Sequence, residues 1–270
     1  MRKYLVIGNP INHSLSPELH NHWIKQNKID GIYDKKKLEV NELENIILDV
    51  KQQILSGINV TVPFKSAVIP YLDELSEESK ITQSVNTIYL KDNKVIGHNT
   101  DIEGFENAIK KINFNFKNKK IFILGAGGVV PSIIYASMKM KSSEIIISNR
   151  TEENANKVKN IFNNIKLIKW GEIPDFDVII NATSLGLNKD DKINLDFTQV
   201  GKNKLFYDII YNPSETNFLK TGKNLGNKYE NGKLMFIYQA FSAFKLWNDI
   251  VPTIDDETIK LLDLWYGSGF

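Results

Sequence analysis

Short apolar runs alternate with amphipathic stretches along most of the 270 residues, the pattern of α/β layers with a largely parallel sheet. Runs at 4–7, 57–62, 120–124, 144–148, 166–169, 177–181 and 205–210 predict strands. Those without polar interruption, such as Ile121-Phe122-Ile123-Leu124, predict strands buried on both faces. The stretch 17–28 predicts a helix with Ser16 as N-cap and Pro17 at the first helical position. A second helix is predicted at 41–53, with Leu43, Ile46, Ile47 and Val50 on one face. Segments 87–90 and 94–97 flank Asp92-Asn93 and predict a hairpin. Stretches 101–112, 129–140, 235–247 and 258–266 predict further helices.

The turn Gly125-Ala126-Gly127-Gly128 falls where the strand at 120–124 hands over to a helix. Exposed backbone N–H groups and the helix dipole favour a dinucleotide pyrophosphate there. A glycine triplet alone is equally a tight turn, and Val130 stands where the third glycine of G-x-G-x-x-G belongs. The next predicted strand leads into Asn149-Arg150-Thr151, about two dozen residues after the first glycine, where an adenosine ribose would lie. An aspartate or glutamate there would hold the 2′-hydroxyl of NAD. Asn149 and Arg150 offer instead a neutral donor and a guanidinium suited to a 2′-phosphate, so NADP is the expected cofactor. Roughly a hundred residues precede the turn, enough for a separate domain that presents a substrate.

Composition narrows the class. Hydrophobic content of 42% and charged content of 24% are those of a soluble globular protein. Thirty-four basic and 32 acidic residues leave a net charge of +2, which favours neither nucleic acid nor membrane as partner. The clusters Lys35-Lys36-Lys37 and 117–120 read as solvated turns. Cysteine is absent, so disulfides, thiolate metal sites and cysteine nucleophiles are excluded. The first residues enter a strand with no signal-peptide pattern, and a cytoplasmic protein is expected. Three of the four histidines, His13, His20 and His22, cluster without cysteine or carboxylate at ligand spacing. They read as polar helix and turn positions, and no metal site is expected. The tryptophans Trp23, Trp170, Trp247 and Trp265 are expected in cores or between layers.

Three polar stretches lie at strand ends or helix starts. Ser14 and Ser16, one residue apart, put two hydroxyls on the same side of an extended segment, where they suit a carboxylate; Ser16 alone serves equally as an N-cap. Asn59 and Thr61 share a face, after which the chain brings Lys65 to an expected helix start. A cation is disfavoured at that end of the helix dipole, which suggests a task for it. Asn99-Thr100-Asp101 begins another helix, with Asp101 by itself readable as an N-cap. Lysine, aspartate and several amide and hydroxyl groups together make a carbonyl-reducing site for a polyhydroxylated acid.

These pieces resemble one family. Gly8-Asn9-Pro10, HSLSP (13–17), NVTVPFK (59–65), SVNT (84–87), NTD (99–101), GAGG (125–128), NRT (149–151), NAT (181–183), DIIYNP (208–213), and late Gly232 with Gln239 follow in the order seen in the shikimate dehydrogenases. The resemblance covers essentially the whole chain and implies NADPH-dependent reduction of 3-dehydroshikimate to shikimate, a step of aromatic amino-acid biosynthesis. It implies two α/β domains around a cleft, with residues 1–101 plus 236–270 binding substrate and residues 102–235 forming a Rossmann-type NADP-binding domain. It implies that Ser14 and Ser16 hold the substrate carboxylate. Asn59, Thr61, Asn86, Asp101 and Gln239 would hold the ring hydroxyls, with Tyr211 near the carboxylate end. Lys65 and Asp101 would be the catalytic pair. Gly125, Ala126, Gly127, Gly128, Val129, Asn149, Arg150, Thr151, Thr183 and Gly232 would contact the cofactor. A monomer or homodimer would be in keeping with the family.

The chain departs from the family pattern in places. Asn154 stands where a second basic residue usually follows NRT, after Glu152 and Glu153, which weakens exclusive use of NADP. Val129-Val130-Pro131 replaces the usual continuation of the glycine turn, and Leu234 and Met235 stand where a second late glycine is usual. The rival readings are a quinate/shikimate dehydrogenase, a methylenetetrahydrofolate dehydrogenase and a non-catalytic sensor of shikimate-like acids. Ser14, Ser16 and Arg150 favour the NADP-linked form over the first. The two-serine grip and NTD have no task in the second. The retained Lys65 and Asp101 argue against the third.

Overall fold

The computed structural model describes residues 1–188 and 190–263. The chain divides into two compact α/β units, one of residues 1–104 with 237–270 and one of residues 105–236. In the first, β1 (Arg2–Gly8), α1 (Ser16–Gln26), β2 (Gly31–Lys37), α2 (Leu43–Lys51) and β3 (Gly57–Val60) alternate. They are followed by β4 (Glu74–Leu75), α3 (Glu77–Thr82), the hairpin β5 (Thr87–Lys91) and β6 (Lys94–His98), and α4 (Thr100–Lys111). The sheet order is β2-β1-β3-β5-β6-β4, parallel around β1 and antiparallel from β3 through β6. Asp92 and Asn93 both take positive φ in the hairpin turn, as its residue types predict. Leu43, Ile46, Ile47 and Val50 of α2 are buried on the face the sequence assigned, packed with Ile58, Val60 and Ile88 of the sheet.

Several local expectations need correction. Lys35-Lys36-Lys37 belongs to β2, an edge strand whose lysines keep its open side polar, and not to a turn. Leu15 is the N-cap of α1, and Ser16 is already helical. The strand at Asn59 ends at Val60. No helix starts at Lys65: residues 61–68 form successive turns, so the helix-dipole cost inferred for that lysine does not arise. Asp101 lies inside the first turn of α4 and is not its cap. His20 is fully buried in α1, because the helix turns it into an aromatic cluster of Trp23, Tyr33, Phe244 and Trp247.

The second unit contains β7 (Lys120–Leu124), α5 (Val130–Lys139), β8 (Glu144–Ser148), α6 (Glu152–Ile161), β9 (Lys166–Ile168), β10 (Val178–Asn181), β11 (Leu205–Asp208), α7 (Asn217–Asn224) and β12 (Lys228–Glu230). All its strands are parallel, in the order β9-β8-β7-β10-β11-β12. Read from its first strand, this is the doubly wound order 3-2-1-4-5-6, with the switch point between β7 and β10. Buried Phe122, Leu124, Ile179 and Phe206 fill its core with Phe176 and Phe218. The helix α8 (Lys233–Asn248) runs from this unit into the first, and α9 (Asp256–Leu261) follows. Residues 264–266 of the predicted last helix, and Trp265, lie outside the described residues. Trp23 is fully buried, Trp247 stacks on Tyr4, and Trp170 packs beside the second core. Among the described residues no helix is long and apolar enough to cross a membrane, and no group of histidines and carboxylates is arranged to hold a metal.

Candidate active site and nucleotide turn

Lys65 and Asp101 are 36 positions apart in sequence and meet at 2.5 Å, Nζ to Oδ2, with 8% and 6% of their surface exposed. Two charges so withdrawn from water are held only where each is paired and hydrogen-bonded. The second carboxylate oxygen of Asp101 accepts a 2.9 Å bond from Asn86 Nδ2, which also donates at 2.9 Å to Thr100 Oγ1 and reaches Gln239 Oε1 at 3.4 Å. Asn86 Oδ1 in turn accepts from the backbone N–H of Thr100 at 2.7 Å. The start of α4 is thereby locked to the segment before β5, and the carboxylate is fixed toward the ammonium.

Asn59 on β3 is equally constrained. Its Oδ1 accepts from the Tyr33 hydroxyl at 2.7 Å, and its Nδ2 donates to Asn86 O and Thr87 Oγ1, both at 3.1 Å. An amide oxygen has two lone pairs. One lone pair of Asn59 is left, so a ligand hydroxyl meeting this side chain must be the donor. Ser14 donates to Ser16, Oγ to Oγ at 3.2 Å, and its Oγ also receives the backbone N–H of Ser16 at 3.3 Å. The hydroxyls converge, but through a turn into α1 and not through the extended alternation expected, since Leu15 between them has φ −91° and ψ 7°. Thr61, half-buried, follows directly on β3. Seven expected site residues share this unit with Thr61; Tyr211 belongs to the other, where it stacks on Phe236 at 4.5 Å. Tyr33, Thr87 and Thr100 were missed as site residues: the two threonines lie inside quoted motifs, whereas Tyr33 carries no motif signal.

In the second unit the glycine turn sits at the switch point of the sheet. Gly125 has φ +112°, and a Cβ there would lie 2.7 Å from the carbonyl oxygen of Ala182. The turn therefore packs against the end of β10 beside Thr183. Gly127 and Gly128 are exposed, and a Cβ on Gly127 would meet nothing within 4 Å, which leaves room for a ligand beside that residue. Ala126 and Val129 flank them, half-buried, with Val129 as the N-cap of α5. After β8, Asn149 Nδ2 bonds Thr151 O at 2.7 Å, shaping the turn into α6. Arg150 is exposed, and no described residue pairs with it. An open glycine turn and an unpartnered guanidinium fit a dinucleotide carrying an extra phosphate. A Cβ on Gly232 would lie 2.0 Å from the carbonyl oxygen of Ile209, so only glycine lets α8 start against the segment that leads to Tyr211.

A buried network orders the loops beyond β10 and β11. Asn181, paired in register with Leu124 and Asp208, accepts at Oδ1 from the N–H and hydroxyl of Thr183 and donates to Asp208 Oδ1 at 3.1 Å. Thr216 Oγ1 donates to Asp208 Oδ2 at 2.7 Å. Burial pushes the Asp208 carboxyl up to about 6, against the partial relief of its donors Thr216, Ile210 and Asn181. An acid raised in the fold favours the protonated native state, so stability is greatest below the unfolded value of 3.8 and is lost as pH rises through about 6. Asp208→Asn removes this dependence. Relative to that variant, the wild type is expected to lose up to about 3 kcal/mol between pH 4 and 7 in urea unfolding. Parallel pH profiles would contradict the assignment.

A parallel sheet with an open glycine turn at its switch point, and a buried lysine–aspartate pair on a second α/β unit, are features of dinucleotide-linked oxidoreductases. Residues 6–88 match the shikimate dehydrogenase substrate binding domain, and residues 106–210 match shikimate / quinate 5-dehydrogenase. A shikimate dehydrogenase (NADP(+)) of Pelagibacter ubique strain HTCC1062 is 57% identical over 263 residues, 97% of this chain and 99% of that protein. The crystal structure of shikimate dehydrogenase from Aquifex aeolicus is similar with a TM-score of 0.88 at 33% identity, over 99% of this chain and 98% of that one. Shikimate 5-dehydrogenase from Thermus thermophilus, in complex with NADP(H) and shikimate, gives 0.88 at 27% identity over 98% of this chain and 99% of that one. The chain belongs to the shikimate dehydrogenase family.

Proposed function

We propose that this chain catalyses the reversible reduction of 3-dehydroshikimate to shikimate with NADPH, in the cytoplasm and in the service of aromatic amino-acid biosynthesis. The buried Lys65–Asp101 pair, with Asn86 fixing the free carboxylate oxygen, carries this reading. Bound NADPH supplies the hydride that the ketone carbon accepts. Lys65 Nζ stabilises the charge growing on the former carbonyl oxygen and delivers the proton, and in the oxidation it takes that proton back. Asp101 holds the lysine at the reacting oxygen. Ser14 and Ser16 donate to the substrate carboxylate, with Tyr211 at that end. Asn59, Thr61, Asn86 and Gln239 orient the ring hydroxyls, Asn59 as acceptor.

Residues 1–101 with 236–270 form the substrate domain on this reading, and residues 102–235 form the cofactor domain. Residues 125–129 would line the pyrophosphate with backbone N–H groups other than that of Gly125, which donates to Ser148 O at 2.8 Å. Asn149, Arg150 and Thr151 would surround the 2′-phosphate, with Thr183 and Gly232 completing the site. The test is the shikimate-dependent rise of the reduced-nicotinamide absorbance band with NADP or NAD, and with quinate in place of shikimate. NADP with shikimate is expected to give the highest kcat/KM. Shikimate binding with no absorbance change would make the protein a binder and not an enzyme.

A further inference from the structure

Tyr33 on β2 is held from every side. Asn21 of α1 clamps its backbone at both polar atoms, donating to Tyr33 O at 2.7 Å and accepting from Tyr33 N at 2.9 Å. The imidazole of His20 lies flat on the phenol, with ring centroids 4.3 Å apart and an interplanar angle of 1°. Neither nitrogen of His20 finds a hydrogen-bond partner among the described residues, although the side chain is fully buried. Two orphaned buried nitrogens are a cost, which points to a task for the ring as a flat stop against the phenol. At its far end the Tyr33 hydroxyl donates to Asn59 Oδ1 at 2.7 Å.

We propose that Tyr33 is a positioning residue of the substrate site, its hydroxyl holding the Asn59 amide so that the amide oxygen is set as an acceptor for a ring hydroxyl. The inference rests on the role proposed above for Asn59. A hydroxyl has one proton and two lone pairs. Tyr33 gives its proton to Asn59. That bond fixes Asn59 as an acceptor for a ligand hydroxyl. Tyr33 itself touches no reacting atom, so its removal acts on shikimate affinity and not on the chemical step.

Tyr33→Phe keeps the ring and its stack and deletes only the hydroxyl. Calorimetric titration is expected to show shikimate binding weakened ~10-fold, the loss of about one buried hydrogen bond. KM for NADP is expected unchanged and kcat within ~3-fold. In a double-mutant cycle, Asn59→Ser combined with Tyr33→Phe should cost less than the product of the single losses. Wild-type affinity in Tyr33→Phe, strict multiplication in the cycle, or an equal rise in KM for NADP would each overturn the inference. Should Tyr33→Phe not fold, Asn21→Ser loosens the clamp and keeps the hydroxyl; a ~3-fold loss of shikimate affinity is expected, and none would refute it. Unchanged binding in Tyr33→Phe beside an active wild type defeats this inference alone. A wild type that neither binds nor oxidises shikimate defeats the proposed function and this inference with it.

Discussion

Lys65→Ala is expected to lower kcat for shikimate oxidation by ~10²-fold or more, with shikimate affinity far less affected. The variant removes the one ammonium that Asp101 faces at 2.5 Å, while Asn86 and the carboxylate keep their mutual bond. The orienting half of the pair therefore survives and the proton carrier does not. Lys65→Arg separates charge from proton transfer, because a guanidinium keeps the charge and does not release its proton near neutral pH. It should remain well below the wild type. Steady-state rates with matched circular dichroism decide the matter, and wild-type turnover in either variant would remove Lys65 from the chemical step.

Arg150→Ala is expected to raise KM for NADP by ~10- to 100-fold, leave kcat nearly unchanged and scarcely alter the use of NAD. The guanidinium is exposed and without a described partner, and so is available for a phosphate. The nearby carboxylates that counted against NADP are partly answered: Glu153 pairs with Lys157 at 2.8 Å across one turn of α6, which holds its carboxyl below the usual range. Comparison of kcat/KM for the two cofactors in parent and variant provides the check. An unchanged NADP-to-NAD ratio would place phosphate recognition elsewhere.

How much of this was legible in the sequence depended on burial. The central strands β7, β8, β10 and β11 are buried nearly end to end, and their apolar runs announced them. The edge strands β2, β4 and β12 are mostly exposed, so their polar residues looked like loop. The helices α6 and α7, with few buried positions, went unpredicted for the same reason. His20 was misjudged because its residue type suggests a wet position, whereas its place on α1 turns it inward. At the site, Ser14 does meet Ser16, but across a turn at Leu15 into α1 and not by the alternation of an extended segment. The meeting of Lys65 with Asp101 spans a sheet and is invisible to spacing. It was anticipated through resemblance to a family. Tyr33 had no such help, since its importance lies in what it touches across β1 and β3 and not in its neighbours along the chain.

Proton transfer at the Lys65 position is tested most directly by chemical rescue of Lys65→Ala with small primary amines, at saturating NADP and shikimate. If the lysine nitrogen carries the proton, turnover recovers with amine concentration and tracks amine basicity, while shikimate affinity stays put. A variant that binds shikimate and ignores every amine, or one that needs none, would contradict the assignment.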